Sequence, residues 1–319
     1  MPTGYRISDY GRMIADTVRM QAYAQALRQA IAPGSSVLDI GAGTGILALL
    51  ACQLGAGQVH AVEVTDAILT ARQIALANGY ADRINFIQGL STEITLPERV
   101  DVIVSDLRGA LPLYQRHLSA IADARRRHLA PAGVLIPQAD TLWAAIIDAP
   151  ALYAQHFRPW DDRPFGLDMR PAREIVANTW SKCRIGADQL LTKPHCWATL
   201  DYRAVESPNV FADMQWVLDR PGVGHGLVVW FDATLADGVS FSNAPGQPEL
   251  IYGQIFLPWL EALALAAGDR VQVILSVTAL GDDYLWTWRT RVLDGAVGSR
   301  TKATFEQSSY FGRPLAFGA

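Results

Sequence analysis

The amino-acid sequence predicts an α/β fold in its first half, built on a mostly parallel, doubly wound sheet, and antiparallel β structure in its second half. Two patterns in the 319 residues support this division. Up to about residue 137, short apolar strands alternate with helical segments, which is typical of parallel βαβ units. Beyond that point, runs rich in β-branched and aromatic residues are separated by Gly, Pro, Asp and Asn, which is typical of antiparallel strands.

The elements of the first half follow from hydrophobic periodicity and from glycine and proline punctuation. A helix is predicted over residues 8–32, with Ser8 as its N-cap and Pro33 at its end. Five strands are then predicted, at residues 36–40, 59–64, 84–87, 101–106 and 133–137. The helices expected between them cover residues 46–54, 66–78 and 113–129.

The second half contains all nine tryptophans, which lie beyond residue 140. Its strand-like runs are at residues 141–144, 196–200, 226–231, 271–275 and 285–289. The alternating pattern of strands and helices stops at Pro137, and we place the boundary there. The sequence therefore predicts one domain over residues 1–137 and a second over residues 138–319.

Composition argues against several classes of function. The 27 basic and 31 acidic side chains give a formal net charge of −4, so the sequence predicts no basic surface for nucleic acid. The three cysteines and six histidines lack the spacing of a zinc site, and no metal is expected. No apolar run approaches the roughly 20 residues that cross a membrane, so no membrane partner and a cytoplasmic location are expected.

The strongest motif is VLDIGAGTG at residues 37–45, which places three glycines directly after the first strand. Gly41, Gly43 and Gly45 allow a tight turn and a close approach of a ligand to the start of the next helix. Glu63 ends the following strand, where a carboxylate can accept hydrogen bonds from ribose hydroxyls. A dinucleotide site would need glycine in place of Ile46. The spacing instead resembles the nucleoside site of class I S-adenosylmethionine methyltransferases, and a turn without a ligand is the alternative.

Other residues are candidates for contacts with the same cofactor. Asp39 ends the first strand, where it would lie near the cofactor's ammonium or tie down the glycine turn. Arg19 shares one helical face with Asp16 and Tyr23, and its guanidinium suits the cofactor's carboxylate. Such a charged stripe is also typical of a solvated helix surface. The remaining candidates are Val64, which ends the second predicted strand, and Thr92 and Glu93, which follow the third, with the adenine contact open between these last two.

Several segments together resemble the protein arginine methyltransferase family. They are residues 13–19 with Tyr23, the glycine motif, residues 105–109, residues 129–137, residues 165–169 and residues 225–232. The resemblance implies a Rossmann-like domain that binds S-adenosylmethionine, a β-barrel domain, and a helical arm within roughly residues 160–195 that pairs two subunits into a homodimer. It also implies that Arg19 binds the cofactor's carboxylate and that Glu63 binds its ribose.

The sequence departs from this family where the acceptor is expected to bind. The family's hairpin carries two glutamates that hold the substrate guanidinium, whereas this sequence has Asp106 and Gln115 at those positions. The family's Thr-His-Trp loop corresponds to residues 250–254, where Ile251 replaces the histidine. A guanidinium has a pKa far above neutral and stays charged, so a buried one needs carboxylate partners. We therefore expect a small molecule or a modified amino acid as the acceptor, rather than a standard protein arginine.

The hairpin also predicts which residues line the acceptor pocket. Asp106 is a candidate base or hydrogen-bond acceptor for an N–H or O–H group, or else a loop cap. Arg108 is a candidate for binding a carboxylate or phosphate of the acceptor, or else a charge that faces solvent. Gln115, Tyr10 and Tyr252 are candidate pocket walls, with plain packing as the alternative for each.

The function that these observations favour is S-adenosylmethionine-dependent methyl transfer, by in-line displacement, to a nitrogen, oxygen or carbon of a small acceptor. A protein arginine N-methyltransferase with an altered hairpin is the first alternative. A catalytically silent paralogue, which keeps the fold and the dimer as a scaffold, is the second. A nicotinamide dehydrogenase is a more distant possibility.

Overall fold

The computed structural model describes residues 5–296 and 300–311. Residues 1–4 and 312–319, which begin the first predicted domain and end the second, lie outside the described residues, as do residues 297–299. The α-helices of the described chain are Ile7–Ala15 (α1), Thr17–Ala30 (α2), Ile46–Gln53 (α3), Ala67–Ala77 (α4), His117–His128 (α5), Pro150–Asp161 (α6) and Arg173–Ala177 (α7).

The strands of the first half form one parallel sheet. They are Ser36–Ile40 (β1), Gln58–Glu63 (β2), Ile84–Gln88 (β3), Val100–Ser105 (β4) and Leu129–Ile136 (β5). Their order across the sheet is β3-β2-β1-β4-β5, and every pairing is parallel. The strand order reverses between β1 and β4, so a crevice opens at the carboxyl ends of these two strands. The loops that follow β1 and β4 meet at that crevice, and the predicted doubly wound sheet is confirmed.

The strands of the second half form two antiparallel sheets. They are Ala139–Ile147 (β6), Ser181–Cys183 (β7), His195–Asp201 (β8), Val210–Val217 (β9), Gly222–Ala236 (β10), Val239–Ser242 (β11), Gln254–Leu265 (β12), Arg270–Leu280 (β13), Asp283–Leu293 (β14) and Thr301–Ser308 (β15). One sheet has the order β7-β12-β10-β6-β8 with β11 beside β10, and the other has the order β15-β14-β13-β9. Trp259, Trp286 and Trp288 are fully buried in the core of this half. The predicted change from parallel to antiparallel structure falls between Ile136 and Ala139.

The single helix predicted over residues 8–32 is wrong, because the chain forms two helices that meet at Asp16. Asp16 leaves the helical region of backbone space, with φ −70° and ψ 88°. Its Oδ1 accepts a hydrogen bond from the Arg19 amide at 3.1 Å and caps α2. Its Oδ2 accepts from the Ile251 amide at 2.8 Å. A partner 235 residues away thus stabilises the break, which is why local periodicity did not reveal it. The first helix is also capped by Arg6 rather than Ser8.

Two other boundaries differ from the sequence prediction. The helix expected from residue 113 begins at His117, because the preceding residues form turns and Gln115 has a positive φ of 44°. The fifth strand begins at Leu129 rather than residue 133, with a register shift against β4 between Val100 and Val102. These changes place residues 106–116, here called the hairpin loop, between β4 and α5. The hairpin loop lies at the same edge of the sheet as the glycine motif.

The predicted arm, residues 160–195, contains short 3-10 turns, α7 and β7. Phe165 is completely exposed and Leu167 is largely exposed, although both are large apolar side chains. None of the described helices is both long enough and apolar enough to cross a membrane. The cytoplasmic location and the division into two domains stay predictions of the sequence.

Candidate active site

The turn after β1, residues 41–45, is here called the glycine loop, and its glycines adopt conformations that other residues rarely reach. Gly41, Gly43 and Gly45 have φ values of 73°, 54° and 83°. A Cβ atom on Gly43 would lie 2.4 Å from a ring carbon of Tyr10, and one on Gly41 would lie 2.3 Å from Leu107. Both the backbone geometry and the close contacts therefore require glycine. Gly45 is also the N-cap of α3.

Glu63, at the end of β2, is bound to the glycine loop. Its buried carboxylate accepts hydrogen bonds from the Gly43 amide at 3.0 Å and from the Thr65 amide at 2.8 Å. Each carboxylate oxygen keeps a second lone pair, so hydroxyl donors of a ribose can bind without displacing the loop. Val64 follows Glu63 and is about half exposed. The expected position of the acid beside the loop is thus what the structure has, while its contact with ribose stays a prediction.

Asp39, at the carboxyl half of β1, has one carboxylate oxygen without a partner among the described residues. Its Oδ2 accepts from the Ala48 amide at 3.0 Å, which ties β1 to α3, whereas its Oδ1 is buried and unpaired. Burial raises the pKa of Asp39 to about 7, although the bond from Ala48 opposes this. A buried, unpaired oxygen is destabilising unless a donor satisfies it. The ammonium group of S-adenosylmethionine is a donor of the required charge, so the residues present fit this cofactor.

Arg19, on α2, pairs with Asp106 of the hairpin loop, and its charge also acts on Asp39. Its Nε donates to Asp106 Oδ2 at 2.6 Å and lies 3.1 Å from the Tyr252 hydroxyl. Its Nη1 donates to the Met13 carbonyl at 3.1 Å. Within the described residues Nη2 makes no hydrogen bond, so this nitrogen could donate to the cofactor's carboxylate. Arg19 is 6% exposed, so the alternative of a solvated surface charge does not hold.

Tyr10 lies at the glycine loop rather than in the acceptor pocket where the sequence placed it. Its ring covers Gly43, and burial raises its pKa while a hydrogen bond with Thr65 partly offsets that effect. Tyr5, which the sequence did not single out, packs edge-on against Tyr10 at 5.9 Å between ring centroids. Burial, then the nearby Tyr114 and Asp106, raise the pKa of Tyr5 to about 12. Tyr10 therefore contacts the glycine loop, and Tyr5 lies beside Tyr10 and near the hairpin loop.

The adenine contact remains a prediction for both candidates. Thr92 is half-buried and Glu93 is exposed, and both lie in the turn after β3. The Glu93 amide donates to the Leu90 carbonyl at 2.9 Å, which shapes that turn.

Asp106, directly after β4, has both carboxylate oxygens paired within the chain. Oδ2 accepts from Arg19 and from the Tyr252 hydroxyl, each at 2.6 Å, and Oδ1 is 3.2 Å from Arg108 Nη1. Burial alone would raise the pKa of Asp106, but the two guanidiniums outweigh it and the pKa is lowered. The carboxylate is therefore ionised, and it is a poor acceptor of protons.

Arg108 is buried, with no exposed side-chain surface, so it is not a charge that faces solvent. Its Nε and Nη2 each donate to an oxygen of Asp140 at 2.8 Å, and its Nη1 donates to the Tyr23 hydroxyl at 2.8 Å. The rings of Phe231 and Phe241 lie 5.5 and 5.8 Å from the guanidinium carbon. An acceptor anion would compete with Asp106 and Asp140 for these donors, so the predicted contact with such an anion gains no support.

Asp140, on β6, extends this network into the second half of the chain. It accepts a short hydrogen bond from the Tyr202 hydroxyl, which lies 2.8 Å from His117 Nε2. Burial, together with the charge of Arg108, lowers the pKa of His117 to about 3, so this histidine is neutral. Sequence reasoning missed Asp140 and Tyr202, because each stands alone in a strand or turn and its partners come from distant segments.

The arginine–aspartate cluster, defined as Arg19, Asp106, Arg108 and Asp140, contains two positive and two negative side chains. All four side chains are less than 10% exposed. Tyr252 belongs beside this cluster, because it bonds Asp106 and stacks on Phe241 at 5.8 Å. Gln115 lies outside it, exposed, with its amide donating to the Tyr114 hydroxyl at 3.1 Å.

Comparison with known proteins supports the resemblance to S-adenosylmethionine-dependent methyltransferases. A model of the ribosomal protein L11 methyltransferase (PrmA) family matches residues 19–137. Protein arginine N-methyltransferase 1 of Dictyostelium discoideum is 30% identical over 267 residues, which are 81% of this chain and 78% of that protein. A probable protein arginine N-methyltransferase 6 of Arabidopsis thaliana is 31% identical over 245 residues, and this chain spans only 55% of its length.

Solved structures show the same fold. A chain of the Trypanosoma brucei PRMT1 enzyme–prozyme heterotetrameric complex with AdoHcy superposes with a TM-score of 0.83 at 24% identity, covering 94% of this chain and 97% of that one. Arabidopsis thaliana protein arginine methyltransferase 10 superposes with a TM-score of 0.80 at 22% identity, covering 95% and 98%. From the sequence relatives, this chain belongs to the protein arginine N-methyltransferase family of S-adenosylmethionine-dependent methyltransferases.

Proposed function

We propose that the protein transfers the methyl group of S-adenosylmethionine to an acceptor held against Asp106. The cofactor supplies an electrophilic methyl group on a sulfonium, and the chain's task is to bind both reactants, orient them and exclude water. The observation that carries the proposal is the ion pair of Arg19 with Asp106 at 2.6 Å, together with the electrostatic effect of the same Arg19 on Asp39. Groups suited to the cofactor and to the acceptor therefore meet at one edge of the parallel sheet.

Three residues would hold the cofactor. Glu63 would accept hydrogen bonds from the ribose hydroxyls, because its oxygens retain lone pairs after binding Gly43 and Thr65. The Nη2 group of Arg19 would donate to the carboxylate. Asp39 would accept from the ammonium through its unpaired Oδ1. Charge-assisted contacts of this kind are roughly twice as strong as neutral ones, so together they would dominate binding.

The names of the relatives favour an arginine in a protein as the acceptor, over the small molecule that the sequence alone suggested. The ionised Asp106 would then orient the acceptor by receiving an N–H hydrogen bond. Its lowered pKa excludes it as an efficient general base, so its part would be positioning. Tyr5 would border the entrance, since it lies near both Asp106 and Tyr114.

A second candidate acceptor is a small molecule whose reacting group is uncharged. It is favoured by the pairing of Asp106 with two arginines of the chain and by the exposed, neutral Gln115. A guanidinium bound at this position would meet no unpaired carboxylate.

Methyl transfer from radiolabelled S-adenosylmethionine into arginine-rich proteins and into a metabolite extract tests both candidates. Labelling of protein arginine supports the leading proposal, and labelling confined to metabolites supports the second. Calorimetry with S-adenosylhomocysteine supplies an independent measurement of the cofactor site. Binding of that compound without any labelled acceptor would favour the catalytically silent scaffold, whereas failure to bind it would contradict the proposal at the cofactor.

We also propose that two copies of the chain associate through the arm. The support is the exposure of Phe165 and Leu167, since large apolar side chains exposed together are typical of interaction surfaces. Light scattering during gel filtration should give twice the chain mass of 34.8 kDa. Phe165→Ser should shift that equilibrium towards single chains, and a monomeric wild-type protein would contradict the proposal.

A further inference from the structure

The carboxylate that faces the expected acceptor is already occupied by the chain's own guanidiniums. Arg19 Nε donates to Oδ2 of Asp106 at 2.6 Å, and Arg108 Nη1 lies 3.2 Å from Oδ1. The Tyr252 hydroxyl donates a second hydrogen bond to Oδ2. A guanidinium of an acceptor would need these same oxygens. Arg108 therefore stands where the acceptor's cation would make its ion pair.

Arg108 is held firmly in that position. Asp140 binds it through two parallel hydrogen bonds of 2.8 Å, the geometry in which arginine and carboxylate pair most strongly. Tyr23 and the rings of Phe231 and Phe241 surround the rest of the guanidinium. Swinging Arg108 aside would leave Asp140 buried without a cation, which is strongly unfavourable. Arg108 is thus a fixed part of the site rather than a movable gate.

The balance of charge leads to the same conclusion. The arginine–aspartate cluster contains two positive and two negative groups, all buried. Arg108 lies between the two carboxylates, because it contacts Asp106 through Nη1 and Asp140 through Nε and Nη2. A cationic acceptor would therefore add an uncompensated positive charge to a neutral, poorly hydrated cluster. Burying such a charge is expensive unless an opposite charge is free to pair with it.

We propose that Arg108, anchored by Asp140, is a specificity-determining residue that suppresses the binding of cationic acceptors by competing for Asp106. The inference rests on the proposed methyltransferase function only in taking Asp106 as the acceptor-binding group. It applies to either candidate acceptor: a protein arginine binds weakly because Arg108 competes with it, and an uncharged acceptor binds without that penalty.

The test compares two otherwise identical peptides, one with a central arginine and one with citrulline, which replaces the guanidinium by an uncharged urea group. Binding is measured by fluorescence anisotropy with S-adenosylhomocysteine present, so that catalysis is not required. The wild-type protein should prefer arginine over citrulline by less than about threefold. The variant R108M/D140N removes the competing cation together with its anchor and frees Oδ1 of Asp106. This variant should bind the arginine peptide at least about tenfold more tightly, with no comparable gain for citrulline.

Two control variants separate this effect from general changes in charge. Arg108→Lys keeps a cation beside Asp106 and should retain the weak discrimination of the wild type. Arg116→Met removes an exposed arginine of the same hairpin loop, paired with Asp282, and should change the preference by less than about twofold. Thermal unfolding and calorimetry with S-adenosylhomocysteine establish whether each variant is folded.

Several outcomes would overturn the inference. A wild-type protein that prefers arginine by more than tenfold contradicts it without any variant, even where R108M/D140N does not fold. A folded R108M/D140N variant that gains no affinity for the arginine peptide also contradicts it, including the case in which neither protein binds either peptide. Failure of the wild type to bind S-adenosylhomocysteine is a different result. It contradicts the proposed function, whereas the affinities for the two peptides still test the role of Arg108.

Discussion

The glycine-loop end and the hairpin end of the site differ in how their charged groups are paired. At the glycine-loop end, Asp39 Oδ1 has no partner within the described residues, and Glu63 binds only backbone amides. At the hairpin end, both oxygens of Asp106 and both oxygens of Asp140 bind side chains of the chain itself. Among the described residues, no cation is paired with the carboxylates of the first end, whereas each carboxylate of the second end is paired with arginine.

Under the proposed function, this difference means that the fold leaves the carboxylates of the proposed cofactor site without a cation while its own arginines pair the carboxylates of the proposed acceptor site. The glycine-loop groups, Asp39 on β1 and Glu63 on β2, bind backbone amides. The hairpin groups are paired across the two halves of the chain, through Asp140 on β6 and Tyr252 just before β12. Changes at the hairpin end should therefore alter stability and acceptor preference, and changes at the glycine-loop end should alter cofactor affinity. Four predictions separate these consequences.

The largest effect is expected from Asp140→Asn, which leaves Arg108 buried without its bidentate partner. Removing one member of a buried ion pair typically costs about 3–5 kcal/mol of unfolding free energy. Urea denaturation should show a loss in this range. R108M/D140N, which removes both partners, should recover most of it, and a loss as large in the double variant would show that the two residues do not act as a pair.

The next largest effect is expected at the other end of the site, from Glu63→Ala. Loss of the carboxylate leaves the Gly43 and Thr65 amides without acceptors and removes the predicted ribose contact. Calorimetry with S-adenosylhomocysteine should show affinity lower by about 30- to 100-fold, which corresponds to roughly 2–3 kcal/mol. Glu98→Ala, at an exposed acid outside the site, serves as the control and should leave affinity unchanged. An affinity in Glu63→Ala within threefold of the wild type would contradict the assignment.

A smaller effect is expected from pH, through Asp39. Its pKa of about 7 means that the unliganded protein holds Asp39 largely protonated at pH 6 and largely ionised at pH 8. An ammonium group binds the ionised form, so the affinity for S-adenosylhomocysteine should fall up to about tenfold as pH decreases from 8 to 6. The folding stability of the unliganded protein should change with pH in the opposite direction. Because the pKa of Asp39 is higher in the folded than in the unfolded chain, Asp39 stabilises the fold below its unfolded pKa, and this contribution is lost as pH rises through 7.

The control for this pH dependence is Asp39→Asn, which cannot titrate. The slope of affinity against pH should decrease in this variant relative to the wild type. An unchanged slope would assign the titration to another group and would remove Asp39 from the cofactor contacts.

The smallest effect is expected from Gln115→Asn, since asparagine tolerates the positive φ of this position. Gln115 is exposed and its amide donates to the neighbouring Tyr114, so kcat and KM for whichever acceptor is found should change by less than about twofold. A tenfold rise in KM would show that the hairpin loop closes over the acceptor and brings Gln115 into the site.

The sequence predicted the turn at the glycine loop and the acid beside it because these signals are local. Three glycines after an apolar strand and an acid at the end of the next strand need no distant partner to be recognised. Since parallel strands bring their carboxyl ends to one edge, these residues had to meet once the sheet was predicted. Arg19 was reached in the same way, from its spacing on one helical face.

The hairpin end was predicted less well because its contacts are long-range. Arg108 pairs with a residue 32 positions later, and Tyr252 reaches Asp106 across 146 positions. No periodicity or spacing in the sequence marks Asp140 as the partner of Arg108, or Tyr202 as the partner of Asp140. The break between α1 and α2 escaped detection for the same reason, since Asp16 binds the backbone of Ile251.

By itself, therefore, the sequence determined the parallel sheet, the antiparallel half, the glycine loop and the acid beside it. These features depend on side-chain periodicity and on backbone conformations that other residues rarely adopt, and both can be recognised from neighbouring residues alone. Tertiary structure alone decided the pairing at the hairpin end. Whether Arg108 faces solvent, an acceptor or Asp140 depends on which groups the fold places within about 3 Å of it, because a buried guanidinium is stable only where carboxylates are already present.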